Sequence, residues 1–170
     1  PGTYYLAYRD LPGIFAEYTK GSKALDFGCG TGRSTRFLRR LGFDTTGVDI
    51  AEPMLVRARA RDPEGDYRLV TDASLSVLAS EHYDLILSAF TFDNVPSLDQ
   101  KIGYFKSLKS RLARDGCIVN LVSSPDIYLH EWASFTTKEF PENQRARTGD
   151  IVRIVMLDVE RARWATVIDH

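Results

Sequence analysis

The sequence predicts an α/β fold, a doubly wound parallel sheet, on three observations. Apolar segments rich in β-branched or aromatic residues alternate with helical patterns, the first of them runs through a glycine-rich turn into a helix, and a carboxylate follows each of the next two. The strands are expected at 24–27, 45–48, 67–70, 84–88 and 117–122. A helix is expected after Gly32 with Phe37, Leu38 and Leu41 inward. Another starts near Pro53, where a missing amide proton does little harm, and runs through Met54, Leu55 and Ala58 to about Arg61. Arg36, Arg39 and Arg40 on the one, and Arg57, Arg59 and Arg61 on the other, read as solvated faces, because acids are spread through the same chain. The clearest helix carries Leu98, Ile102, Phe105, Leu108 and Leu112 on one stripe and is expected to stop at Asp115-Gly116, where glycine can turn left-handed. Beyond the fifth strand, 123–147 is a long mixed stretch holding Tyr128, His130, Trp132, Phe135 and Phe140, of the kind that supplies lids. Segments 151–159 and 164–168 then flank Glu160-Arg161-Ala162-Arg163 as an expected antiparallel hairpin.

At 170 residues, 44% hydrophobic and 26% charged, the chain has the make-up of one domain spanning 1–170. That composition excludes disordered and collagen-like classes. No apolar run approaches the ~20 residues that span a bilayer, so no membrane partner is expected. No signal peptide opens the chain, which begins at Pro1 as a trimmed product does, and the expected compartment is the cytoplasm. Cys29 and Cys117 lie too far apart in sequence to suggest a disulfide framework or a four-ligand zinc site; reduced thiols and no metal are expected. With 22 basic against 23 acidic side chains there is no global attraction to phosphate backbones. Small molecules lead as partners, and no nucleic acid is expected.

Ligand chemistry concentrates at Leu25-Asp26-Phe27-Gly28-Cys29-Gly30-Thr31-Gly32-Arg33-Ser34. In an open parallel sheet ligands bind outside the carboxyl ends of the strands, and glycine there lets a ligand touch the backbone. The dinucleotide spacing G-x-G-x-x-G fails, because its third glycine falls on Arg33 when counted from Gly28 and on Thr35 when counted from Gly30. No Walker lysine follows either. The D-x-G-x-G-x-G spacing of Asp26, Gly28, Gly30 and Gly32 instead resembles motif I of the class I S-adenosylmethionine-dependent methyltransferases. Asp49 ends the second strand about twenty residues beyond the glycines, where a carboxylate can accept both ribose hydroxyls.

The resemblance covers about 23–122 and implies that family's Rossmann-like fold, with S-adenosyl-L-methionine as cofactor. The cofactor set it implies is Tyr5, Asp26, Phe27, Gly28, Cys29, Gly30, Gly32, Asp49, Ile50, Met54, Asp72, Ala73 and Ser88. Within it Asp72 is similar to the family's acceptor for the adenine amino group, and Ile50 and Met54 are placed to sandwich the adenine plane. Cys29 reads as a small filler, with no histidine nearby in sequence to activate it. Segment 1–22 corresponds to an N-terminal lid in which one of Tyr4, Tyr5 and Tyr8 meets the methionine carboxylate; equally, Tyr4 and Tyr8, four apart, form one face of a packed helix. Residues 23–122 are then the cofactor-binding core and 123–170 the substrate region with its hairpin.

The implied activity is transfer of a methyl group to a nucleophilic atom of a small-molecule acceptor by direct displacement, in which the protein positions the two partners and supplies a base. Asp93 and His130 are the catalytic candidates. Asp93 reads equally as a loop or capping carboxylate, and His130 as a structural residue beside aromatics. Phe90, Phe92 and Trp132 either line the sulfonium or pack the core. The segment after the fourth strand is not the Asn/Asp-Pro-Pro-Tyr/Phe motif of amino-methylating DNA enzymes, and no Pro-Cys dipeptide occurs, which disfavours DNA base methylation. Two other classes compete: a non-catalytic adenosylmethionine-binding or regulatory module of the same fold, and a nucleotide-dependent oxidoreductase, which the failed glycine spacing disfavours. Class I methyltransferases usually follow the fifth strand with a further crossover helix and a final strand pair, and 126–135 is short for that helix. The expectation is therefore an inserted hairpin at 151–168, with the C-terminal helix and strands lacking and the uncovered fifth-strand edge open to oligomer formation. The competing expectation places the hairpin in the main sheet.

Overall fold

The expected strands form one parallel sheet. The computed structural model describes residues 3–78, 80–132, 135–147, 149–158 and 163–169. Two helices, α1 (Thr3–Arg9) and α2 (Leu11–Tyr18), precede β1 (Lys23–Phe27); then come α3 (Arg33–Arg40), β2 (Asp44–Asp49), α4 (Glu52–Arg61), β3 (Asp66–Leu69), β4 (Tyr83–Ala89), α5 (Leu98–Lys109) and β5 (Leu112–Leu121). The strand order is β3-β2-β1-β4-β5, every pair parallel. From β1 the chain builds outward to β2 and β3 on one side and later to β4 and β5 on the other. The carboxyl ends of β1 and β4 therefore mark the point where the winding reverses, the usual ligand crevice of such sheets.

Ala24 to Phe27 are all buried, as a strand covered on both faces requires. Partners directly opposite across the ladder share a face, so Ala24, Leu85 and Leu87 lie together, and Leu11, Phe15 and Leu38 pack on them from α2 and α3. Tyr8 joins this cluster, its ring edge-on to Phe37 at 4.9 Å between centroids. Leu55 and Ala58 of α4 meet Tyr67 and Cys29 on the same side. On the opposite face Phe27 packs against Phe92 and Tyr104, and Phe92 stacks on Phe105 of α5 at 4.3 Å. Helix α5 begins where the Ser97 hydroxyl accepts from the Gln100 amide.

Several local expectations are corrected. Helix α5 ends at Lys109, and Leu112 opens β5 beside Tyr83. Gly116 caps nothing: it sits inside β5 at a register shift, where a Cβ would press on the Tyr83 carbonyl. Of the expected stripe only Leu108 is fully buried, while Leu98 and Ile102 stay exposed. Leu41, expected inward, is exposed at the C-cap of α3.

A second compact unit is formed by Asp93–Pro96 and the chain from Ser123 onward. Here the long stretch folds into single-turn helices at Pro125–Leu129 and Pro141–Arg145 around β6 (Phe135–Thr136). The hairpin forms as expected, from β7 (Arg153–Asp158) and β8 (Arg163–Asp169), but pairs with β6 in an antiparallel sheet of its own, ordered β6-β7-β8. The reading that placed it in the main sheet is thereby excluded. Buried Asn143 acts as a further partner for β7: its Nδ2 donates to the Arg153 carbonyl at 2.7 Å and its Oδ1 accepts from the Arg153 amide at 3.1 Å.

Candidate active site

The glycine turn leaves the carboxyl end of β1 with Gly28, Gly30 and Gly32 all at positive φ. Two of them are required sterically as well. A Cβ on Gly28 would collide with the side chain of Thr91, and one on Gly32 with the Tyr67 hydroxyl. The loop backbone is tied to β2: the amides of Gly28 and Cys29 donate to the Val48 carbonyl at 2.8 and 2.9 Å, and the Gly30 amide donates to Asp49 Oδ2 at 2.7 Å. The other oxygen of Asp49 accepts from the Ala51 amide at 2.9 Å, at the entry to α4. Each carboxylate oxygen thus has one donor and a second lone pair left over.

Asp26 is fully buried. Its Oδ2 accepts from the hydroxyls of Ser34 and Thr35, both at 2.6 Å, from the first turn of α3. Its Oδ1 is buried without a partner among the described residues. Burial pushes this carboxyl up to about 6, against the opposing pull of the two hydroxyls, and the Asp49 charge adds to the rise. A buried carboxylate oxygen without a donor is costly. Burial first, and then the Asp26 and Asp49 charges, push the Cys29 thiol up as well. It stays protonated and packs with Leu55, Ala58 and Tyr67, a filler as its place in the loop suggests.

A family model described as a methyltransferase domain matches residues 25–119, from β1 through β5 and more than half of the chain. The chain belongs to the class I S-adenosylmethionine-dependent methyltransferase family. A ubiquinone biosynthesis O-methyltransferase from Roseobacter denitrificans is 29% identical over 71% of this chain and 56% of its own length. A demethylmenaquinone methyltransferase from Tropheryma whipplei is 39% identical over 47% of this chain and 34% of its own. The chain thus spans between about a third and just over half the length of the curated relatives it matches. Among solved structures, a TehB-like methyltransferase from Corynebacterium glutamicum is 26% identical over 69% of each chain with a TM-score of 0.55. DesVI of Streptomyces venezuelae shares the fold at 19% identity and a TM-score of 0.65 over 98% of this chain and 75% of that one.

S-adenosylmethionine is the cofactor of that family, and residues of this chain fit the group. Asp26 near the end of β1, with one unpaired oxygen, and Asp49 at the end of β2, with open lone pairs, stand on either side of the glycine turn, and Ile50 and Met54 expose their side chains beyond β2. Asp72 is more occupied than expected. Its Oδ1 accepts from the Ser74 amide and hydroxyl and, at 3.4 Å, from the Ser76 amide, while Oδ2 accepts from the Ser76 hydroxyl. The Ser74 and then the Ser76 hydroxyl hold it down at about 2. The carboxylate first of all builds the turn that carries Ala73, whose carbonyl accepts from the Ser107 hydroxyl at 2.7 Å.

Two members of the expected set are misplaced for side-chain contact with a ligand at this turn. The Phe27 ring lies in the core against Phe92 and Tyr104. Ser88 is its ladder partner, fully buried on that same face, opposite to the Asp26 face, and its Oγ has no partner among the described residues. Phe92 is likewise core, whereas half-buried Phe90 sits at the carboxyl end of β4 with φ 61°. Tyr5 belongs to α1, but its side chain and that of Tyr4 lie outside the described residues.

The catalytic candidates belong to the second unit. Asp93 is fixed by Ser123, whose amide donates to it at 3.1 Å and whose hydroxyl donates at 2.7 Å. Tyr128 stands in the same cluster; burial raises its hydroxyl, the Ser123 side chain opposes the rise, and the Asp93 charge adds to it. His130 is exposed where the Pro125–Leu129 turn ends. Trp132 is partly exposed, its ring 6.4 Å from that of Phe135. Sequence reasoning missed Ser34, Thr35, Thr91 and Ser123. The first two carried a signal, being hydroxyls on the first turn of the helix that leaves the glycine loop.

Proposed function

We propose that this chain is an enzyme that transfers a methyl group from S-adenosylmethionine to a nucleophilic atom of a small-molecule acceptor. The observation that carries the reading is the pair of carboxylates at the carboxyl end of β1 and β2. Asp49 is preset by two backbone amides, and Asp26 is buried with one oxygen unpaired. The Asp26 oxygen takes the cofactor's ammonium, Asp49 takes the ribose hydroxyls, Ile50 and Met54 cover the adenine, and the Asp72–Ala73 turn meets its polar edge. Ser88 drops out of the set, and Phe27 contributes its main chain. The bound cofactor supplies a methyl group on a sulfonium, and the chain holds the acceptor in line with it. Asp93 accepts the acceptor's proton, being the candidate that a neighbour orients; His130 is held by no hydrogen bond among the described residues.

The names of the quinone-pathway relatives and the near-zero net charge of −1 support a small acceptor over nucleic acid. Among the described strands β5 pairs only with β4, which leaves an edge on which a second copy can add; light scattering tests for that dimer. Two free cysteines suit a reducing cytoplasm, and no described helix is long and apolar enough to cross a membrane. The test of the activity is formation of S-adenosylhomocysteine across a panel of small acceptors that includes hydroxylated aromatics. Turnover with one of them supports the reading; tight adenosylmethionine binding without turnover on any of them assigns the chain to the non-catalytic binding class.

A further inference from the structure

The glycine turn is held from two sides. Toward β2 the amides of Gly28, Cys29 and Gly30 are tied to Val48 and Asp49. Toward β4 the tie is Thr91. Its hydroxyl donates to the Phe27 carbonyl at 2.8 Å, with the Gly28 carbonyl 3.4 Å from the same oxygen. The side chain fills the space that a Cβ on Gly28 would take, so Gly28 and Thr91 specify each other.

Thr91 reaches this position only through an unusual turn. β4 pairs with β5 up to its end, and the Phe90 amide still donates to the Leu121 carbonyl at 2.8 Å. The chain then reverses at Phe90 with φ 61°, a region that a bulky side chain rarely adopts. Such a conformation persists where its surroundings over-determine it, and it concentrates at ligand clamps and switch regions. The turn lies at the winding reversal of the sheet, between the end of β1 and the end of β4.

We infer that Thr91 is a positioning residue for the cofactor loop: its hydroxyl, carried by the left-handed turn at Phe90, fixes the peptide between Phe27 and Gly28. Order in the loop after β4 is thereby coupled to cofactor binding. The inference rests on the reading that the Asp26–Gly32 turn and Asp49 hold adenosylmethionine. Removing the hydroxyl takes from the Phe27 carbonyl its tie to the segment beyond β4, leaves it only its ladder pairing with β4, and lets the turn drift from the geometry in which its remaining groups meet the ligand.

The experiment is calorimetric titration of the full chain with S-adenosylhomocysteine, alongside the thermal midpoint of each variant. Thr91→Val keeps the shape and loses the hydroxyl, and is expected to weaken binding about tenfold; Thr91→Ser restores the donor and is expected to stay within about threefold of the parent. Equal losses in both variants, or losses that merely follow the midpoints, overturn the inference in favour of simple packing. Asp49→Ala separates the two levels. If it weakens binding while Thr91→Val does not, the cofactor assignment stands and the Thr91 role is wrong; if Asp49→Ala changes nothing, the assignment fails and the inference with it. Hydrogen exchange on the unsubstituted protein adds a test that needs no variant to fold. S-adenosylhomocysteine must slow exchange at 90–92 as well as at 28–32, and protection confined to 28–32 contradicts the coupling.

Discussion

Replacing Asp26 by Asn removes the one carboxylate that the fold buries completely at the cofactor turn, and its effect on stability has a sign and a size. The carboxyl is raised from its ordinary 3.8 to about 6, chiefly by burial. The folded state therefore binds this proton more tightly than the unfolded chain does. The resulting stabilisation is fully present below 3.8 and is lost as pH rises through about 6. A shift of roughly 2 units at ~1.4 kcal/mol each gives about 3 kcal/mol, lost between pH 4 and pH 7. Asn cannot ionise, so Asp26→Asn lacks that slope. Urea unfolding of the two proteins from pH 4 to pH 8, without cofactor, reads the difference directly. The parent should lose about 3 kcal/mol relative to Asp26→Asn across this range. Saturating S-adenosylhomocysteine, whose ammonium favours the ionised carboxylate, should flatten the parent's slope. Parallel pH profiles for the two proteins would refute both the burial argument and the idea that the unpaired oxygen awaits a cation.

Asp49→Ala strips the ribose hydroxyls of their acceptor and should weaken adenosylmethionine by roughly ten- to a hundredfold in calorimetry; unchanged affinity in a folded variant removes that assignment. Cys29, buried and protonated, should resist iodoacetamide at pH 8 in the native protein while half-buried Cys117 reacts, as peptide mass spectrometry will show; prior labelling of Cys29 contradicts the packing. Ser123→Ala deletes the side chain that opposes the rise of Tyr128, so the ultraviolet titration of Tyr128, isolated by difference from Tyr128→Phe, should move to higher pH; a downward move sinks the proposed cluster. At low salt the protein should not retain RNA or DNA on a filter, and tight, salt-sensitive capture would overturn the small-acceptor reading.

The parts of this site that sequence makes legible are those set by local spacing. Asp26, the three glycines and Asp49 lie at strand ends, and their distances along the chain follow from the length of one βα unit. The strands themselves were readable because buried parallel strands are continuous β-branched and apolar runs. What failed depended on neighbours in space. Phe27 and Ser88 looked adjacent to the ligand because they adjoin Asp26 and the end of β4, yet residues in a strand alternate, and Phe27 must face away from Asp26. The end of α5 was less accessible, since Leu112 suits a helical stripe and a strand equally, and the register shift at Gly116 depends on the Tyr83 carbonyl of another strand. Thr91 and Ser123 gave no local signal: each acts on a segment distant in the chain.

On the proposed function, the turn from Asp26 to Gly32, with Asp49, takes S-adenosylmethionine and not a dinucleotide. Calorimetric titration of the unsubstituted chain with S-adenosylmethionine and, separately, with NAD tests it most directly. S-adenosylmethionine should bind saturably at one site and NAD should give no heat; NAD binding with no response to S-adenosylmethionine would overturn the assignment.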